Sequence, residues 1–147
     1  MKNVLLKPYL PYMKDLGEIS PQSFKQKCSE FGIPLNRTFS EKTVFEWESI
    51  KPVFSIPFDY EGDGPIISKG LTNSELANTQ EIIISVSHSI PMIQIPTEIF
   101  IENWYDFFCA SGGETISVVD ISGKLLLEFV EHSFDVRSNF FISTSAG

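Results

Sequence analysis

Residues 114–131, ETISVVDISGKLLLEFVE, constrain the fold more than any other stretch. Two runs rich in β-branched and large apolar residues flank Asp120-Ile121-Ser122-Gly123, a short polar turn that ends in glycine. This is the pattern of a bulged hairpin, because glycine takes up the left-handed backbone of such a turn without steric cost. A further β-rich run, VRSNFFIS, follows the polar EHSFD. The chain is therefore expected to form a three-stranded antiparallel meander over residues 115–143.

The segment before the meander has a different period. Phe100, Trp104, Phe107 and Phe108 recur at i, i+4, i+7 and i+8, one broad apolar face of a helix. Thr97 starts this helix and Gly112-Gly113 end it, which predicts a helix over 97–111 lying on the sheet. An earlier helix is read in SPQSFKQKCSEFGIP: Ser20 caps, Pro21 suits the first turn, and Gly32 and Pro34 close it. Phe24, Cys28 and Phe31 would face the core.

QEIIISVSH reads as a strand with Ile82–Ile84 central. IPMIQIP reads as extended, its pairing limited by Pro91 and Pro96. VFSIPF, between prolines, reads as an edge strand. TVFEWESI, residues 43–50, fits either a half-buried strand or a short helix capped by Ser40; its Val, Phe, Trp and Thr favour the strand. FDYEGDGPIISKGLTN, residues 58–73, reads as a turn-rich surface loop. The fold class expected is α+β, a single antiparallel sheet with helices packed on it, in one domain spanning 1–147.

At 147 residues a chain buries roughly 70% of its extended surface, enough for a core without staples. Thirteen Phe, two Trp and four Tyr supply the bulk to fill it. The longest run without a charge, residues 82–97, has only sixteen residues and contains two prolines, too short and too broken for a membrane span. MKNVLLKPYL is interrupted by Lys7 and Pro8 before it can serve as a secretory signal. A soluble, cytoplasmic protein is expected, with Cys28 and Cys109 as free thiols at apolar helix positions.

The net charge of −8 lies entirely in the second half. Residues 1–70 hold nine basic and nine acidic side chains; residues 71–147 hold Lys124 and Arg137 against ten acids. Between Lys69 and Lys124 there is no basic residue, so this half cannot neutralise phosphates. Nucleic acid and membrane are not expected partners. A basic protein is.

Signs of catalysis are lacking. Asp59, Glu61 and Asp63 imitate the first positions of a calcium loop, but Gly70 stands where a bidentate glutamate is needed. His88 and His132 fall in separate elements with no zinc-ligand spacing. Cys109 falls near a helix C-terminus, where the dipole disfavours a thiolate. No Gly-x-Ser-x-Gly, Gly-x-Gly-x-x-Gly or Gly-x-x-x-x-Gly-Lys occurs. No enzyme activity, metal or cofactor is expected.

The helix over 97–111 carries Glu98, Glu102 and Asp106 at four-residue spacing. Glu98 complements the helix N-terminus, but like charges at i, i+4 cost a few tenths of a kcal/mol per pair. Two readings fit them: an ordinary solvated helix face, or a stripe meant for a cationic partner, with Tyr105 beside it as an aromatic anchor. Glu114, Asp120, Glu128 and Glu131 around the hairpin are the next candidates for the same surface.

The stretch from Ile95 to Ile142 resembles small bacterial immunity proteins, which protect cells from polymorphic toxins, including those of contact-dependent growth inhibition. The resemblance rests on IPxxIFxxNW at the helix start, on GKLLLEF and on the terminal SNF, and it covers about a third of the chain. It implies a small acidic cytosolic protein that binds a toxin domain, often a basic nuclease, and blocks it; it assigns no residue roles. The alternative is a small enzyme or ligand-binding domain whose pocket forms only in space.

Overall fold

The computed structural model describes residues 4–15, 21–36, 43–57, 64–86, 92–112, 114–130 and 135–143. Among these residues seven antiparallel strands form one sheet in the order β1-β4-β3-β5-β6-β7-β2. In chain order they are β1 (Lys14–Asp15), β2 (Phe54–Pro57), β3 (Glu81–Ser85), β4 (Ile93–Pro96), β5 (Ile116–Asp120), β6 (Leu126–Phe129) and β7 (Asp135–Ser138). Three α-helices, α1 (Pro21–Glu30), α2 (Gly64–Thr72) and α3 (Thr97–Ala110), pack on it together with a 3-10 helix at Val4–Tyr12. The fold is α+β, a single antiparallel sheet bearing helices, and α3 is followed by a three-stranded meander.

The hairpin of β5 and β6 is closed by the turn read from the sequence. Gly123 takes φ of +77°, and Val119 pairs with Leu126 just outside the turn. β3 sits in the sheet interior between β4 and β5, and among the described residues β2 is an edge strand paired with β7. β4 pairs on both sides, with β1 and β3, which its prolines were expected to limit. Pro96 falls at the last position of the strand, where the chain turns into α3 and an N–H is not required.

The alternation of side chains along the strands builds two cores. Ile82, Ile84, Ile116, Val118, Leu127 and Phe129 face one side, where α2, α3 and the Val4–Tyr12 helix cover them through Leu71, Phe100, Trp104, Phe107 and Leu6. Ile83, Val119 and Leu126 face the other side, under Phe24 and Cys28 of α1 and under Phe45, Trp47 and Ile50. The three isoleucines of β3 thus divide between both layers, which is why this strand reads as a continuous apolar run.

Two expectations are corrected. Residues 43–50 are not a strand: apart from an isolated bridge between Leu35 and Phe45, the segment is a bend followed by a 3-10 turn at Trp47–Ser49. The N–H groups of Val44 and Phe45 donate to the Glu128 carboxylate rather than to a neighbouring strand. Residues 58–73 are not one loop: from Gly64 the chain is helical, with Pro65 in the first turn, where a missing N–H costs nothing. Ile67, Gly70 and Leu71 form the buried face of α2. At Gly70 the helix comes so close to the chain end that a Cβ would sit 2.4 Å from the Ser143 carbonyl oxygen. The acidic positions read against a calcium loop lie outside the described residues.

Among the described residues no helix is long and apolar enough to cross a membrane. Both cysteines are free thiols; Cys28 is buried as expected, whereas Cys109 is exposed on α3.

Candidate partner-binding face

α3 is amphipathic for a reason visible in its sequence: the apolar stripe of Phe100, Trp104 and Phe107 is buried, which turns Glu98, Glu102, Tyr105 and Cys109 outward in a line. The helix is not straight. Asn103 leaves helical geometry, at φ −130° and ψ 20°, and its side-chain amide donates to the Ile99 carbonyl at 2.9 Å. That carbonyl is also the usual acceptor for the backbone N–H of residue 103, so the side chain inserts into the ladder where the helix kinks.

Tyr105 is 43% exposed, yet its ring is held: it stacks on Phe108 at 6.1 Å and meets Trp104 edge-on at 5.6 Å. Trp104 is itself locked, stacked on Phe129 of β6 at 5.3 Å and donating its indole N–H to Ser68 Oγ of α2 at 2.7 Å. An exposed ring on so rigid a base loses little freedom when a partner covers it.

The other acidic residues separate into different roles. Asp106 accepts the hydroxyl of Tyr9, and the Tyr9 ring stacks on Phe107 at 5.4 Å. Burial, then the Asp106 carboxylate, push the Tyr9 phenol up to about 12. Asp106 therefore fastens the Val4–Tyr12 helix to α3. Glu114 is half-buried just beyond the helix.

Asp120 and Glu128, expected on the hairpin surface, are buried, and the structure corrects that placement. Asp120 Oδ1 accepts the N–H of Lys124 and of Leu125 at 2.9 and 2.7 Å, while Oδ2 accepts the N–H of Ser122 at 3.1 Å and its hydroxyl. It organises the turn from within. Glu128 points into the second core, where its oxygens accept from Val44 N, Phe45 N, Trp47 Nε1 and Ser117 Oγ at 2.8, 3.4, 2.7 and 2.7 Å. Burial pushes its carboxyl up to about 7, against the pull of these four donors. Parity explains it: Glu128 shares a face with Leu126, and that face is covered. Glu131, His88 and His132 lie outside the described residues.

The structure adds apolar surface that the sequence reading missed. The Val4–Tyr12 helix, seated against α3, exposes Leu5, Leu10 and Tyr12. At the far edge of the sheet Phe141 is 65% exposed and packs edge-on against Phe54 of β2 at 5.9 Å. A signal for the first was present in VLLKPYLPY, whose prolines rule out a long regular helix that could bury every apolar residue.

A groove of about 630 Å³ between α1 and residues 33–36 is lined by Lys25, Gln26, Ser29, Asn36 and Glu46 among others. No protein-family model matches the chain, and no curated protein matches it significantly.

Proposed function

We propose that the protein is an immunity protein: it binds and neutralises a cognate, basic toxin domain, such as a nuclease, in the cytoplasm. The observation that carries this reading is the outer face of α3. Glu98, Glu102 and Tyr105 are all exposed on it, and the chain holds no Lys or Arg from residue 70 to 123. The anions steer a cationic surface inward, and the immobilised aromatic anchors it once docked. Asp106 contributes field rather than contact, because the Tyr9 hydroxyl already engages it.

The test is direct. The protein encoded beside this chain is produced alone and together with it, cell growth is followed, and binding of the two purified proteins is measured. Growth arrest that co-production relieves, with a stable complex, is the expected result. A harmless neighbour, or a toxic one that neither binds nor is relieved, sinks the reading.

A further inference from the structure

Glu128 lies in β6 with its side chain in the seam between the sheet and residues 43–50, and it is fully buried. Of the four donors that reach its carboxylate, the N–H groups of Val44 and Phe45 and the indole of Trp47 belong to that segment; only the Ser117 hydroxyl belongs to the sheet. One acid thus joins to the sheet a segment that is otherwise hydrogen-bonded to residues 34–36, where Asn36 N–H donates to the Val44 carbonyl, Glu46 N–H to the Pro34 carbonyl and the Asn36 amide to Thr43 and Phe45.

The charged and titratable groups around it do not neutralise it. From α1 comes Cys28, whose thiol is pushed up to about 12 by burial and by the Glu128 charge. From β7 comes Arg137, its register neighbour, whose Nε donates to Asp135 at 2.9 Å. Within the segment Glu46 accepts the Ser49 hydroxyl and Glu48 is exposed. An ionised Glu128 is therefore solvated by dipoles alone while the segment is docked, and by water once it lifts.

We propose that docking of residues 43–50 is a proton-linked latch: the segment closes over a protonated Glu128 and lifts more readily as pH rises through neutrality. The protonated form keeps its backbone donors, because the Ser117 hydroxyl is free to rotate and accept the carboxyl proton in place of donating. The direction follows from linkage. The docked carboxyl titrates at about 7 and the undocked one near the ordinary 4.5, so the docked form binds more protons between these values and loses its advantage as pH climbs from one to the other. Lifting withdraws Phe45 and Trp47 from the second core, and with them the Phe45 ring that meets Phe24 at 6.1 Å.

Amide exchange of the whole chain between pH 5.5 and 8.5, corrected for the intrinsic pH dependence of exchange, tests the latch. Val44 and Phe45 should be less protected than Ile83 and Val119 of the sheet, and their protection should fall by more than about tenfold over that range. In Glu128→Gln the profile should be flat. The carboxyl carbon resonance of Glu128 in the unaltered protein should titrate with the same midpoint as the protection, near neutrality, which decides the matter even where the variant does not fold. Protection that is flat or rises with pH, protection equal to that of the sheet, or a carboxyl midpoint in the ordinary glutamate range would each overturn the proposal.

Discussion

Asp120 is the residue on which the β5–β6 turn depends. Replacing it with alanine leaves the N–H groups of Ser122, Lys124 and Leu125 without their acceptor. The expected loss is about 2–3 kcal/mol, read as a lower urea midpoint with an unchanged slope. Asp120→Asn should lose less, since its oxygen still serves Lys124 and Leu125 while its amide faces the Ser122 N–H. Gly70 provides the opposite kind of test. Alanine is worth up to about 1 kcal/mol more than glycine inside a helix. Here the added Cβ would meet the Ser143 carbonyl at 2.4 Å and the Ile142 methyl at 2.6 Å, which backbone cannot easily yield. Gly70→Ala should therefore destabilise, by about 1–3 kcal/mol, despite its helix propensity.

At the scale of elements, α3 separates a face for folding from a face for binding. Reversing Glu98 and Glu102 to lysine touches only exposed positions, and the melting curve should move by less than about 1 kcal/mol equivalent. The same pair should slow association with the toxin domain severely and weaken its salt dependence, since long-range steering is screened beyond roughly 10 Å at 0.1 M salt. Unchanged association kinetics in the folded variant would assign the partner surface elsewhere, with Phe141 and Phe54 at the β2 edge as the next place to look. Tyr9→Phe tests the seam beside that face. It removes the hydrogen bond to Asp106 while keeping the stack on Phe107, so about 1–2 kcal/mol should be lost. The late phenol titration, near pH 12 in the unaltered protein, should vanish from the ultraviolet absorbance profile.

At the scale of the molecule, the described residues build one sheet that serves two cores, each with its own tryptophan: Trp104 in the layer under α2 and α3, Trp47 in the layer under α1. Ile82 and Ile84 anchor the first and Ile83 the second from adjacent positions of one strand, so neither core survives loss of that strand. Fluorescence of single-tryptophan variants at pH 6, where the Glu128 latch is closed, should give coincident denaturant midpoints once each variant's own stability is matched by circular dichroism. Separate midpoints for the two probes would show layers that unfold independently.

Periodicity determined much of this protein before any tertiary contact was considered. The stripe of Phe100, Trp104 and Phe107, the turn at Gly123 and the apolar run of β3 are local patterns, and local sterics with one buried face suffice to set them. α1 was legible for the same reason, as was the exposure of Glu98, Glu102 and Tyr105, because burying the opposite side of a helix leaves them nowhere else to point. Residues 43–50 were not legible: their strand-like composition was overruled by a carboxylate more than eighty positions away that takes their N–H groups. α2 was hidden because Pro65 and Gly70 read as loop residues, and only the close approach of residues 142 and 143 shows why a glycine belongs inside that helix. The hairpin acids Asp120 and Glu128 looked like surface charge because sequence counts charges without knowing which face of a strand is covered. Coverage of a sheet is a property of elements brought together from distant parts of the chain, and so the second core, with the buried glutamate at its seam, was decided by tertiary structure alone.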